Sequence, residues 1–305
     1  MLAALGVCTL IFFVASALYF AYAQFFVKTD LKKYGAKTGA WALITGSREG
    51  IGKGFAEALA AKGFNVVLTA RSEGGLKALA SELEQKHNIK TLVIASDATS
   101  SDAVETVVSQ VQNLDLRVLV NNVGLNTELP SVLTETSITD ITNMINVNCT
   151  FTTLLTRALI PTLSKNRSLI FCLSSFTGRI PVPMMSVYSA TKAYNEAFAN
   201  ALAGELAPLK IDVRAVLPHY VVSAMSGFRR PTMTVPAAKP FAFRALDQVG
   251  LGSFSIVPHW AHQLQMTISS LLPSSVVGTF GLNMMKRVRA KLIKRNERNA
   301  AKASN

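Results

Sequence analysis

Cysteine and acid are scarce in this chain of 305 residues. Its three cysteines, Cys8, Cys149 and Cys172, are odd in number and do not stand at metal-ligand spacing. That excludes a disulfide framework and fits a reducing compartment. Only 18 Asp and Glu stand against 31 Lys and Arg, a formal net charge of +13, and charged residues make up just 16% of the whole. So little charge, with 50% hydrophobic residues and a mean hydropathy of +0.31, excludes a disordered or collagen-like chain and points to a membrane segment. The four histidines, His87, His219, His259 and His262, have no carboxylate cluster beside them, so no metal centre is expected.

Charge is missing altogether from Leu2 to Val27, a stretch of Leu, Ile, Phe, Val and Ala long enough to cross a bilayer as a helix. With no basic residue ahead of it, the stretch lacks the n-region of a cleaved signal and is expected to be a transmembrane anchor over residues 1–28. Tyr19, Phe20, Tyr22, Phe25 and Phe26 crowd its far end, where rings favour the interface, and Lys28, Lys32, Lys33 and Lys37 follow. The positive-inside rule then places the rest of the chain in the cytosol.

Residues 248–285 also carry no Lys, Arg, Asp or Glu, but Pro258 and Pro273 interrupt them. Two readings stay open here: an apolar membrane-associated segment lying in the interface, or burial against the globular domain. The basic tail that follows, residues 286–305, carries Lys286, Arg287, Arg289, Lys291, Lys294, Arg295, Arg298 and Lys302 against Glu297 alone. Beside an apolar stretch such a tail suits anionic lipid headgroups. It has no groove-reading motif or interleaved aromatics, so nucleic acid is not an expected partner.

Between the ends, short apolar runs alternate with longer helical periods, the pattern of strand-helix units. Strands are expected at 41–44, 65–69, 91–95, 117–120, 169–173 and 212–217. Helices are expected at 51–62, 76–87, 102–112, a long one around 138–163, and 188–207. The pattern predicts an α/β fold, a Rossmann-type doubly wound parallel sheet in a single domain spanning residues 38–247.

The first strand runs into Thr45-Gly46-Ser47-Arg48-Glu49-Gly50-Ile51-Gly52 and then a helix, a turn whose glycines let backbone approach a pyrophosphate at the helix N-terminus. After the second strand stands Arg71, where an acidic residue would select the ribose hydroxyls of NAD; a guanidinium suits the 2′-phosphate of NADP(H). Asn121-Asn122-Val123-Gly124 follows the fourth strand, and Ser174-Ser175 the fifth. Tyr188 and Lys192 share a helix face at i and i+4, where an ammonium would lower a phenol pKa and make Tyr188 a proton donor.

Taken in order, T-G-x-x-x-G-I-G, N-N-x-G, Ser and Y-x-x-x-K resemble the short-chain dehydrogenase/reductase family over about Lys37 to Met225. Within it the chain is most similar to the endoplasmic-reticulum very-long-chain 3-oxoacyl-CoA reductases and the 17β-hydroxysteroid dehydrogenases of types 12 and 3. The subgroup marks are the anchor, Val123, Tyr188-Ser-Ala-Thr-Lys192, Pro218-His-Tyr-Val-Val-Ser and Arg230-Pro231-Thr232. His219 departs from the glycine many members carry after the proline.

The resemblance implies Tyr188 as the acid, with Lys192 as its partner and ribose ligand. It implies Ser175, thirteen residues before Tyr188, to orient the carbonyl, and Asn148, in preference to Asn146, to hold a relay water. It places Gly46, Ser47, Arg48, Gly50, Ile51, Gly52, Arg71, Asp97 and Asn121 around NADP(H), with Asp97 at the adenine. It further implies reduction of a ketone in a fatty acyl-CoA during fatty acid elongation, with a 17-ketosteroid as the alternative substrate. The location it implies is the endoplasmic reticulum membrane with the catalytic domain facing the cytosol. Membrane lipid, fatty acid elongation enzymes and a second copy in a homodimer are the implied partners. The contrary reading is a catalytically silent scaffold of the same fold, which a damaged Ser-Tyr-Lys set would mark; here all three residues are present.

Overall fold

The computed structural model describes residues 2–303. The chain opens on α1 (Leu2–Ala21) and a π turn (Tyr22–Phe26), then alternates β1 (Trp41–Thr45), α2 (Gly50–Ala61), β2 (Asn65–Ala70), α3 (Glu73–His87), β3 (Thr91–Ala95), α4 (Ala103–Val111) and β4 (Leu116–Asn121). There follow α5 (Ile138–Ile145), α6 (Thr152–Leu163), β5 (Ser168–Leu173), the short α7 (Phe176–Arg179), α8 (Ser186–Leu206) and β6 (Ile211–Val216). The chain ends with α9 (Ala238–Gln248), β7 (Ser255–Ile256), α10 (Trp260–Leu271) and α11 (Ser274–Ala303).

The seven strands are all parallel in the order β3-β2-β1-β4-β5-β6-β7. Both faces are covered, which is why β5 is buried at every position and reads as a continuous apolar run. One core, around Phe55, Phe64 and Phe241, lies on the α2 and α9 side; the other, around Val107, Leu155 and Leu202, lies on the α4, α6 and α8 side. The strand order reverses between β1 and β4, so their carboxyl ends splay apart and open a crevice.

The helix expected as one rod over 138–163 is two, joined by a π turn over Asn146–Phe151. Residues 248–285 divide between the two readings left open. β7 pairs with β6, and Val249, Ile256, Val257, Ala261, His262 and Met266 are buried, so the globular domain runs past 247 to Met266. Beyond it Ile268, Leu271, Leu272, Val276 and Phe280 are exposed.

Helix α1 stands clear of the domain, exposed from Leu5 to Tyr19, while Ala23 and Gln24 at its exit are buried; the apolar span Leu5–Phe26 is long and apolar enough to cross a membrane. Its exit is firmly held. The Arg244 guanidinium donates to the carbonyls of Ala23 and Val27, Gln248 donates to Ala23, Gln24 donates to Val257, and Thr29 both donates to Asp247 and accepts from the Gly250 amide. All three cysteines are free thiols.

Helices α2 and α9 cross at Gly54, where a Cβ would stand 2.5 Å from the Ala238 carbonyl oxygen. Gly54→Ala is therefore expected to lower stability by about 2 kcal/mol through overpacking, despite alanine's better helix propensity. A thermal melt of the detergent-solubilised protein, with a fall in midpoint of several degrees, is the check.

Candidate active site

The crevice at the strand ends is a cleft of ≈ 630 Å³. Among the expected cofactor residues, Gly46, Arg48, Gly50, Ile51, Arg71 and Asp97 line it, and Tyr188 and Lys192 line its far end. Gly50 takes φ +59°, a conformation that favours glycine, and swings the chain into α2. The N-cap residue of α2, Glu49, makes no side-chain cap bond, so the first amides of that helix are left for a ligand. These features fit a bound pyrophosphate. Arg48 and Arg71 are both exposed on the same rim, next to Ser72.

Three expected contacts lie behind the cleft wall. Ser47 is fully buried and turns its hydroxyl to the Thr69 carbonyl, 3.3 Å away. Gly52 faces the turn it follows, where a Cβ would run into the Gly46 carbonyl. Asn121 donates to Thr156 Oγ1 at 2.8 Å and to Cys172 Sγ at 3.8 Å, pinning β4 to α6 and β5. Its neighbour Asn122 lines the cleft instead and donates to the carbonyls of Thr45 and Gly46, so it ties β4 to the glycine turn. Sequence reading also missed Ser223, Ala224 and Met225, which line the cleft from the loop after β6. The rule that ligands sit beyond the carboxyl ends of strands was the available signal for them.

At the reacting end, Lys192 is only 4% exposed and its ammonium donates to the Leu173 carbonyl at 2.9 Å. Burial pushes its pKa down to about 8. Tyr188, one turn earlier on α8, has its pKa raised to about 12 by burial, against a smaller lowering by the Ser175 hydroxyl. The lowering expected from Lys192 is not seen. The ammonium lies 5.7 Å from the centre of the phenol ring and bonds the β5 carbonyl instead, so desolvation decides the phenol.

Ser174 and Ser175 divide their tasks. Ser174 donates to the Lys192 carbonyl at 2.7 Å and so holds α8 to β5. Ser175 Oγ accepts from the Thr177 amide and lies 3.1 Å from Thr177 Oγ1, which leaves its own proton free to point at a ligand. Asn148 is fully buried in the π turn, whereas Asn146 is exposed. Its amide nitrogen donates to the Leu125 carbonyl and to Thr191 Oγ1, both at 2.9 Å, and its oxygen accepts from the Leu125 amide at 2.7 Å. Thus it ties the loop after β4 to α8 beside Lys192. Asp97 accepts from the Thr99 amide and hydroxyl and shapes the turn after β3.

His219 packs against Phe176 and Tyr220 with tilted rings, centres 4.4 and 4.6 Å apart, and the fully buried His262 meets it edge-on. Both nitrogens of His262 are engaged: Nδ1 accepts from the His219 amide, and Nε2 donates to the carbonyls of Tyr220 and Thr234. Burial lowers its pKa to about 3, so it stays neutral. This histidine fastens both stems of the loop that carries Ser223 to Met225. Among the described residues no group of three or more His, Cys, Asp or Glu side chains could hold a metal ion.

Comparison with known proteins agrees with this geometry. The family model described as short chain dehydrogenase matches residues 40–234. A very-long-chain 3-oxoacyl-CoA reductase of Scheffersomyces stipitis is 37% identical over 294 residues, covering 90% of this chain and 84% of that protein. Among solved structures, one from a study of 7β-hydroxysteroid dehydrogenase stereoselectivity shares the fold with a TM-score of 0.74 at 23% identity, covering 82% of this chain and 98% of the other. A short-chain dehydrogenase from Sphingobium yanoikuyae, solved in complex with NADPH, has a TM-score of 0.65 at 26% identity and covers 72% and 87% of the two chains. The cleft is that of a nicotinamide-dependent oxidoreductase, and the chain belongs to the short-chain dehydrogenase/reductase family.

Proposed function

We propose that the protein reduces the ketone of a long-chain 3-oxoacyl-CoA to the secondary alcohol with NADPH, as a step of fatty acid elongation. The convergence of Ser175, Tyr188 and Lys192 at the end of a dinucleotide-sized cleft supports the reaction type. The very-long-chain 3-oxoacyl-CoA reductases that match 90% of the chain support the substrate class.

When bound, the cofactor supplies the hydride. Tyr188, protonated because its pKa is raised to about 12, gives its proton to the developing alkoxide, and Ser175 donates a hydrogen bond to the same oxygen. Lys192 holds the ribose and supplies positive charge behind the phenol. Asn148 positions Leu125 and α8 around it and so maintains the path by which the phenol is reprotonated. The turn from Gly46 to Ile51 takes the pyrophosphate, Asp97 the adenine, and Arg48 and Arg71 the 2′-phosphate.

Residues 1–28 serve as an anchor in the endoplasmic reticulum membrane, and the domain that follows faces the cytosol. The exposed apolar residues from Ile268 to Phe280, with the basic segment after Met285, form a second attachment to an anionic leaflet.

Tyr188→Phe is expected to lower kcat by at least about a hundredfold while leaving NADPH binding, read by fluorescence titration, within about twofold. Substantial turnover by this variant would refute the assigned acid. Lys192 is charged below about pH 8 and neutral above it, whereas Tyr188 stays protonated across that range. The kcat/KM for NADPH should therefore fall as pH rises through about 8 and be flat below; a profile flat to pH 10 would remove Lys192 from that role. Arg71→Asp should reverse the preference between NADPH and NADH. A parent enzyme that uses both equally at matched concentrations contradicts the selector argument. Comparing kcat/KM for 3-oxostearoyl-CoA and estrone separates the two substrate classes, and a tenfold preference for the steroid overturns the acyl-CoA reading.

A further inference from the structure

The chain between β6 and α9, residues 217–237, crosses the cofactor end of the cleft with no strand or helix of its own. Ser223, Ala224 and Met225 line the cleft, and a Cβ at Gly50 would stand 2.9 Å from the Ser223 Cβ, so the loop lies directly against the glycine turn. The bonds it makes within itself are mostly short in range. Ser226 Oγ donates to the Val221 and Ser223 carbonyls, the Ser226 amide donates to Ser223 Oγ, and the backbones of Thr232 and Val235 bond each other. Such bonds knit each half to itself. Across the stems the Val222 amide donates to the Pro236 carbonyl at 3.0 Å, and beyond that the loop relies on α10.

His262 on α10 is fully buried and works on both stems. Its Nδ1 accepts from the His219 amide at 3.3 Å, so its proton sits on Nε2, which lies 3.1 Å from the Tyr220 carbonyl and 3.1 Å from the Thr234 carbonyl. One shared proton thus joins the stem that enters the loop to the stem that leaves it. A rigid ring with an acceptor on one edge and a donor on the other suits this task, whereas an amide side chain carries both at the tip of a flexible arm. Three residues further along α10, Gln265 Oε1 accepts from His219 Nδ1 at 2.9 Å. The entering stem is also moored on the Ser175 side, where the Phe176 amide donates to the Pro218 carbonyl at 2.7 Å. Both α10 residues lie beyond the 40–234 span that matches the family model.

We propose that His262 is a positioning residue for the dinucleotide: by joining the two stems it holds the 221–233 loop on the course that lays Ser223 to Met225 along the cofactor cleft. The inference rests on the reading of that cleft as the NADPH site. A cofactor that needs the loop in place binds with an apparent Kd equal to its intrinsic Kd divided by the fraction of molecules whose loop is already there. With His262 that fraction is high before NADPH arrives; without it, NADPH must order the loop as it binds. The hydride step should feel little of this. Tyr188 and Lys192 stand on α8, Ser175 follows β5, and the bond from Phe176 to Pro218 keeps the entering stem beside them.

The test uses the full chain in detergent. His262→Leu removes both bonds and is expected to raise the NADPH Kd, read by fluorescence titration, by about tenfold, with kcat at saturating NADPH within about threefold. His262→Gln, whose amide can still donate to the two carbonyls, should return the Kd to within about threefold of the parent. A second readout needs no turnover: Arg229 is exposed in the loop, and trypsin cleavage after it, followed by mass spectrometry, should be several-fold faster in cofactor-free His262→Leu than in the cofactor-free parent. Saturating NADPH should slow that cleavage in both. Should His262→Leu not fold, Gln265→Ala carries the test from the less buried side of α10, with Kd and cleavage rate each expected to rise about threefold. A Kd within the error of the parent's in the deciding variant, a raised Kd with unchanged cleavage after Arg229, or failure of His262→Gln to recover binding would each overturn the assignment. A parent chain that binds no NADPH overturns the reading of the cleft itself, and this inference falls with it.

Discussion

An ammonium kept almost out of water is the constraint around which the reacting end is built. Lys192 is attached to the end of β5 twice: its Nζ donates to Leu173, and its own carbonyl accepts from Ser174. Burying that charge is costly, and the cost is offset only where carbonyl dipoles are already fixed in place. Hence the neighbours are small or rigid. A Cβ at Gly124 would stand 3.2 Å from Nζ, Gly178 lets the chain after Ser175 lie against the Lys192 backbone, and Asn148 spends its whole amide on Leu125 and Thr191. The same burial that lowers the lysine pKa raises that of the tyrosine, so at neutral pH the pair holds a charged ammonium beside a protonated phenol.

Much of this was readable from residues alone because it is local. The six longer strands fall within one residue of their expected bounds, since each is a short apolar run closed by turn residues. Tyr188, Lys192 and Ser175 stood out only through the ordered set of motifs that carries the family resemblance, since a Tyr and a Lys at i and i+4 alone often mark no more than a half-exposed helix face. The π turn did not, because Asn146 to Phe151 continues an ordinary helical pattern and the bulge is set by where Asn148 finds partners on other elements. Burial of Ser47 and Asn121 was equally hidden: sequence tells which polar groups flank a turn, not which way they face.

Residues 248–266 show the opposite failure. Lack of charge is shared by membrane segments and by an edge strand and helix packed on a core, and periodicity cannot separate them. What decides is a distant partner, here β6 for Ser255 and Ile256 and the carbonyls of Tyr220 and Thr234 for His262. An ion pair between Arg289 and Glu135 spans more than 150 residues and had no sequence signal; in the bare chain Arg289 is one cation among many in a basic tail.

The six hydrogen bonds that grip the chain between Ala23 and Thr29 act as a rigid coupling and not as a hinge. A domain on a loose tether samples every attitude above a surface and spends most encounters facing the wrong way. A domain locked to its helix inherits the tilt and azimuth of that helix, so a bilayer that took up residues 5–26 would set the heading of the cleft mouth. Reactants confined to the plane of such a bilayer would meet that mouth by lateral diffusion in two dimensions, from a bearing that does not wander.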